Sequence, residues 1–431
     1  MESATQGYLQ RWLQEQPQLP ASPLSWLNRL RARALERANA LRLPTTRDEN
    51  WRFTDLSPLY QTLFQVPQRA GELTSEALQP YHVPEAGARL VFVDGIYVPE
   101  LSVPISTQNI EVSSLVREAA GHEFVLPESL GQIADFDQDI FTAVNTAWLH
   151  DAAVFRIGRD ELVERPIHLL FVSSTPNVAA YPRVAVVVAS GSRCTVVEDY
   201  ISLHAGSGLT NAVCELDIAQ GAQVKHVRLQ RESSAAFHIG TCAARCARDA
   251  RYAGVNVAMG ARISRVNHSL LQVGEATDWE VDGLALISGR QLADTHSVLD
   301  HGRPFGRSRQ LHKCIAGGAA RAVFNGRVIV RPGAQRTDSA QQSRNLLLSA
   351  RAQVDTKPEL EIFADDVKCA HGATVGQLDP EQLFYLRSRG MSQLAATNLL
   401  TCAFAAEVIE RVGIGSLVER LQHIVTRQTQ A

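Results

Sequence analysis

Apolar positions along the chain follow two different periods. Over residues 1–80 the spacing is helical. Leu9, Trp12 and Leu13 fall on one face of a first helix that Pro17 and Pro20 end. A second helix is expected after Ser22-Pro23, with Ser22 as N-cap, Pro23 in the first turn, and Leu27, Leu30 and Ala34 along one side. Residues 56–70 read as a proline-punctuated connector. At residues 89–98 two short apolar runs flank Asp94-Gly95, a hairpin signal. Residues 81–150 are otherwise mixed, with a helix expected near 141–149. From about 154 to 367 the period is two. Cys214, Leu216 and Ile218 alternate with Glu215 and Asp217, Val227 and Leu229 with Arg228 and Gln230, and Trp279 and Val281 with Glu280 and Asp282. Small turns recur at Gly191, Gly221, Gly260, Gly289 and Gly333, but their uneven spacing makes only a weak internal repeat.

Helical signals return near the C-terminus. Asp379-Pro380-Glu381-Gln382 supplies an N-cap, a first-turn proline and a capping-box glutamine, and Gly390 ends that helix. Ser392 opens a second helix that runs to about Arg411 and stops before Gly413. Ser416 to Glu419 reads as a third capping box. The expected organisation is a helical region over 1–80, a mixed connector over 81–150, a β core over 151–368 and a helical domain over 369–431. Strand-rich sequence with glycine turns suits a sandwich, a barrel or a β-helix, and pattern alone leaves these open.

Composition narrows the function classes. The net charge is −3 and charged residues make up 20 %, so no basic field suggests nucleic acid. The series Arg29, Arg31, Arg33, Arg37 and Arg42 reads as a solvated helix face. No apolar run is long enough for a membrane span; the longest, residues 394–409, is broken by Thr397, Asn398, Thr401 and Glu407. The first residues lack the basic start and apolar stretch of a secretory leader. Seven unevenly spread cysteines argue for a reducing compartment, and cytoplasm is the simplest expectation.

Several residues could carry chemistry. Cys369 and His371 stand two apart, so an extended chain puts both on one face, a pairing that suits soft or borderline metals including cluster iron. Lys368 beside them would favour the thiolate. Two ligands do not close a site, so a cluster here needs ligands from another chain. A small buried thiol beside a turn histidine is the plainer alternative. His238, Cys242 and Cys246 are spaced by four, which would form a metal stripe on a helix but not automatically on a strand. His296, Asp300 and His301 could orient a base, but no G-x-S-x-G elbow accompanies them, and a buried hydrogen-bonded network is the better reading. Neither a P-loop nor a dinucleotide-binding glycine motif is present, so ATP hydrolysis is not expected.

Residues 358–391, PELEIFADDVKCAHGATVGQLDPEQLFYLRSRGM, closely resemble the SufB/SufD family, scaffold subunits of the SUF iron–sulfur cluster assembly system. PTTRDENWRFTD from Pro44, HSVLDH from His296, Phe324-Asn325-Gly326, Ala334-Gln335-Arg336-Thr337 and residues 341–348 follow the same family pattern. Cys369-Ala370-His371-Gly372-Ala373-Thr374 stands where SufB-like chains read Glu-His-Glu-Ala-Thr. No cysteine precedes Cys194, whereas SufB-like chains often carry an N-terminal cluster. Both features match the SufD form. The resemblance implies a right-handed parallel β-helix flanked by helical domains. It implies a non-catalytic scaffold that pairs with a SufB-like paralogue and docks a SufC-like ABC-type ATPase. The nascent cluster would form at the SufB–SufD interface, transient and shared, with none bound by the chain alone. His371, with Cys369, is the site candidate. Asp379, Leu383, Phe384, Tyr385, Arg389 and Gly390 are the ATPase-docking candidates. Reduced flavin in the complex and a homodimer in isolation stay open. The rival is a β-helix enzyme, a metal-dependent hydrolase or polysaccharide lyase. Against it stand the missing leader and an aromatic content of only 6 % for stacking sugars.

Overall fold

The strand-rich middle of the chain winds into two facing parallel sheets. The computed structural model describes residues 7–8, 10–13, 19, 21–115 and 130–428, so the expected roles of Leu9, Pro17 and Pro20 lie outside the described residues. Strands β1 (Ala88–Val93) and β2 (Ile96–Tyr97) form the expected hairpin, with positive φ at Asp94 and Gly95. Strands β3 (Ile105–Ser106), β4 (Ile110–Ser114) and β5 (Ala153–Ile157) pair antiparallel in sequence. Then follow β6 (Ile167–Ser173), β7 (Ala179–Ala180), β8 (Arg183–Val188), β9 (Arg193–Ser202), β10 (Leu209–Ile218), β11 (Gln223–Arg231), β12 (Phe237–Cys246) and β13 (Arg251–Ala258). The series ends with β14 (Ile263–Gln272), β15 (Asp278–Ile287), β16 (Leu292–His301), β17 (Arg307–Ala316), β18 (Arg321–Val330), β19 (Asp338–Leu347), β20 (Gln353–Ile362) and β21 (Lys368–Gln377).

From β8 onward successive strands alternate between the sheets. One sheet ends β9-β11-β13-β15-β17-β19-β21; the other ends β8-β10-β12-β14-β16-β18-β20. This is the parallel β-helix. A column of register partners reads Cys194, Val224, Tyr252, Trp279, Ser308, Ser339, Cys369. One coil therefore takes roughly 30 residues, inside the range for stacked repeats.

The corners explain the weak sequence repeat. At one corner Asp160, Gly191, Gly221, Asp249, Ala276, Phe305 and Arg336 all have positive φ. From Gly191 onward, each such N–H donates to a carbonyl one coil further along, as Gly191 does to Gln220 at 3.0 Å and Ala276 to Pro304 at 3.0 Å. The stacked hydrogen bonds hold left-handed backbone even where a Cβ disfavours it. Only two of these seven positions are glycine, so a search for glycine turns finds only part of the column.

Helices cover the outer faces. Helices α1 (Ser25–Ala40) and α2 (Ile140–Ala147) pack Ala34, Ala38, Phe141 and Val144 with Leu209, Phe237, Ile239 and Ile263 of one sheet. Beyond α3 (Pro380–Ser388), helices α4 (Gln393–Arg411) and α5 (Gly415–Gln428) lay Ala405, Val408, Ile409, Leu417, Leu421 and Val425 on Val227, Val257, Leu284, Leu286 and Ile315 of the other. Each of the larger side chains contributes about 1.5–3 kcal/mol on full burial. Sheets covered on both faces need apolar residues inside and out, as parallel sheets generally do. A stacked solenoid needs its ends covered, which flanking helices could supply. The C-terminal pair lies along its side instead, and the last coil stays open. The boundary expected at residue 369 falls one residue inside β21, and the C-terminal helices begin at Pro380.

Three local expectations change. Helix α1 starts at Ser25 with Leu24 as an uncapped N-cap; the Ser22 hydroxyl oxygen instead accepts from the Leu24 N–H at 3.2 Å. Ser416 does not cap its own helix. Its N–H and hydroxyl both donate to Glu85, a distant carboxylate suited to the positive end of α5. In the arginine series Arg31 is buried and donates to the Leu149 carbonyl at 2.7 Å, while Arg33 lies over the Phe136 ring. That side of α1 is packed, not solvated.

Candidate functional site at the open end of the solenoid

Strand β21 is the edge of its sheet, paired only with β19. Odd-numbered residues of β19, such as Ser339, Gln341 and Ser343, point inward and are buried. Their register partners on β21 are Cys369, His371 and Ala373. Sheet alternation thus aims Cys369 and His371 along the solenoid interior, as the two-residue spacing predicts. Among the described residues no further coil covers them, so Cys369 is half-buried and His371 exposed.

Two hydrogen-bonded ladders climb the interior to these residues. His301 meets Gln272 at 3.1 Å and the Ser308 hydroxyl at 2.9 Å, and Ser308 donates to Ser339 at 2.8 Å. Cys369 is the next rung. Beside it Gln310 donates to Ser297 at 2.8 Å and Gln341 donates to Gln310 at 2.7 Å. His371 is the next rung there. The Gln341 Oε1 acceptor is buried and without a partner among the described residues. Gly326 makes room for this ladder, since a Cβ there would lie 2.2 Å from the Gln341 amide nitrogen. The Phe324-Asn325-Gly326 motif thereby has a packing reason.

Lys368 does not activate Cys369. Neighbouring residues on a strand face opposite ways, and burial, with the Asp338 carboxylate, pushes the Cys369 thiol up. Asp365 and Asp366 are exposed in the turn before β21, where Asp366 lies 3.5 Å from Arg336. A thiol and an imidazole on one open face can bind iron, but they leave most of an iron or cluster coordination shell to another molecule.

The C-terminal helices offer a second surface. The Asp379 carboxylate caps α3 by accepting the Glu381 N–H at 2.9 Å, and Gly390 turns the chain out with φ of 92°. Between them Leu383 is half-buried, Phe384 is 73 % exposed and Tyr385 57 % exposed, with Arg389 over the Tyr385 ring. Two aromatic rings on a helix with no buried residue form an apolar patch that no other described residue covers. Next to α3, α4 and α5 frame a groove of 540 Å³ lined by Leu399, Cys402, Ala403 and His423.

The remaining candidates separate. His296 and Asp300 do not join His301. His296 pairs with Asp294 at 3.0 Å, Asp300 with Arg331 at 2.7 Å, and His301 turns inward to stack on Trp279. Burial would raise the Asp294 carboxyl, but Arg265 and His296 outweigh it and hold it down to about 2. The same Arg265 lies 3.7 Å over the Trp51 ring. It thereby ties the Pro44–Asp55 segment to the solenoid beside a cleft of 590 Å³.

His238, Cys242 and Cys246 all lie on β12 and do not converge. His238 binds Glu232 at 2.7 Å, and burial pushes the Cys246 thiol up to about 12. Cys242 instead joins Cys214 and His226 from other strands, a group that sequence spacing did not reveal. Glu198 receives the His226 ring at 2.7 Å. Burial works against charge on His226, but the Glu198 carboxylate and Cys242 push the imidazole up to about 10. The neighbouring Cys214 thiol, against burial, holds Cys242 well below the usual thiol range, while burial pushes Cys214 well above it.

The profile described as "SUF system FeS cluster assembly, SufBD core domain" matches residues 171–404, and the "SufBD protein N-terminal region" matches residues 2–169. An iron–sulfur cluster assembly SufBD family protein of Synechocystis is 39 % identical over 430 residues, 97 % of this chain and 94 % of the relative. The iron–sulfur cluster assembly protein SufD of Escherichia coli is 34 % identical, with 85 % of each chain covered. A chloroplastic protein of Arabidopsis thaliana, ABCI7, is 34 % identical over 91 % of this chain and 84 % of its own.

Proposed function

The chain belongs to the SufBD family of iron–sulfur cluster assembly proteins, and on that premise we propose that it is the SufD-type scaffold, which completes a cluster site only with a partner. The observation that carries this is the open last coil, where Cys369 and His371 share one face of an unpaired edge strand. A bare parallel edge accepts another strand, and the polar interior behind it offers nothing to close the coordination shell. A SufB-like paralogue supplies the missing surface and ligands. The cluster is cargo, built at the shared interface and passed on. Alone, the same edge is free to meet a second copy of this chain.

The α3 patch and the α4–α5 groove dock a SufC-like ATPase. Since the ATPase brings the nucleotide chemistry, this chain itself is non-catalytic. Closure of two ATPase subunits pulls on α5 and on α4, and α4 is fixed to the solenoid by Arg411 to Asp282 at 2.7 Å and Lys313 to Glu407 at 2.7 Å. The pull reaches the paired ends as a change between two interface states. Reduced flavin in the complex would supply electrons. Seven free cysteines suit a reducing compartment such as the cytoplasm.

The test is anaerobic iron and sulfide loading of this chain co-expressed with SufB-like and SufC-like partners, wild type against His371→Ala. The expected result is an intact complex whose cluster absorbance collapses. Normal loading of the variant would remove His371 from the site and leave this chain only an architectural role.

A further inference from the structure

The solenoid interior between β9 and β14 holds charged and sulfur-bearing side chains that the assembly surfaces do not use. The geometry points to a buried zinc(II) site built by Cys214, Cys242 and His226. One ligand atom from each lies within 4.8 Å of the others, and all three residues are buried. Cys214 on β10 and Cys242 on β12 are direct register partners in one sheet, and His226 reaches them from β11 in the facing sheet.

Distances decide the chemistry. Zn–S near 2.3 Å and Zn–N near 2.0 Å in a tetrahedron place sulfur and nitrogen roughly 3.6 Å apart. Cys242 Sγ lies 3.8 Å from His226 Nδ1. That pair needs a shift of only a few tenths of an ångström, and the remaining ligand atoms lie within 4.8 Å. The Glu198 carboxylate already holds His226 Nε2 at 2.7 Å. That contact keeps a ring proton on Nε2, as carboxylates behind zinc histidines do, and makes Nδ1 the ligand once the metal displaces its present 3.0 Å hydrogen bond with the Tyr252 hydroxyl.

A second observation points to a missing occupant. His268 is the register partner of Cys242 on β14, and it is buried with neither ring nitrogen hydrogen-bonded among the described residues. Beyond its approach to the Cys242 thiol, this buried imidazole is left unsatisfied, which is costly. Its ring lies outside the group whose ligand atoms fall within 4.8 Å of one another, so it would complete a Cys2His2 shell only by moving toward the metal.

The site needs no partner and stands apart from cluster loading at His371. The full-length chain is produced in zinc-supplemented medium, exchanged into chelator without unfolding, and its metal content measured. About one zinc per chain is expected, retained until the protein is denatured. Cys242→Ser lowers zinc content roughly tenfold or more, and Glu198→Gln weakens affinity by roughly 10–100-fold. Cys246→Ser, buried on the same strand but outside the group, keeps the metal. Wild type refolded with cobalt(II) gives thiolate-to-cobalt charge-transfer bands and intense tetrahedral d–d bands, a readout that holds even if a variant fails to fold. Wild type with neither stoichiometric zinc nor cobalt bands overturns the assignment. So does zinc retained in Cys242→Ser, or iron in place of zinc at these residues.

Discussion

Acid should destabilise this solenoid through two buried histidines, one on β16 and one on β17. His301 is held between Gln272 and Ser308 on the Trp279 ring, and His312 stacks on Phe324 with its Nε2 unpartnered among the described residues. Burial lowers the His301 imidazole to about 4, Asp300 opposing only weakly, and burial with nearby His268 lowers His312 to about 3. Both rings are therefore neutral in the fold and protonate near 6.5 once unfolded. A depressed value in the folded state gives stability that is complete above pH 6.5 and lost as pH falls toward the folded values. At pH 5 the unfolded chain has bound both protons and the folded chain almost none. Linkage then gives about 2 kcal/mol of lost stability per histidine, about 4 kcal/mol together. The assay is urea unfolding followed by tryptophan fluorescence at pH 7 and pH 5, for wild type and for His301→Gln with His312→Phe. Glutamine retains a polar group for Gln272 and Ser308, and phenylalanine retains the stack. The double variant should lose about 4 kcal/mol less than wild type between the two pH values. Equal losses would show that neither ring is held neutral by burial and would refute the argument.

Two further outcomes follow from single contacts. Glu215 pairs with buried Arg183 at 2.6 Å and accepts N–H groups from Gly131, Ile133 and Ala134, so Glu215→Ala should cost about 3–5 kcal/mol in thermal unfolding. Adding Arg183→Met to Glu215→Ala should recover part of that cost, the remainder being the three N–H groups left without an acceptor, and a double variant no more stable than Glu215→Ala would count against an unpaired-charge origin. Phe384→Asp, at a ring 73 % exposed, should leave the melting temperature unchanged and reduce capture of the SufC-like ATPase; undiminished capture would place the dock elsewhere.

Legibility tracked the range of each interaction. Local rules located the Asp94-Gly95 hairpin, the Asp379 and Ser392 caps and the Gly390 stop, because each depends on residues a few positions apart. Ser416 failed the same rule because a carboxylate 331 residues away, Glu85, outcompetes the local cap. The solenoid corner failed at Ala276, Phe305 and Arg336 because bonds between coils impose the backbone there, whatever residue is present.

By itself the sequence determined the strand-rich core, its helical flanks, the family resemblance and the pairing of Cys369 with His371 on one face, since a period of two is local geometry. Only the tertiary structure decided that the C-terminal helices lie along the side, which leaves β21 bare. It alone also brought Cys214, His226 and Cys242 together, and separated His301 from His296 and Asp300. Coil register sets all of these outcomes. Register arises from stacking roughly 30 residues of chain on the coil before, a length at which no spacing in the sequence fixes which side chains meet.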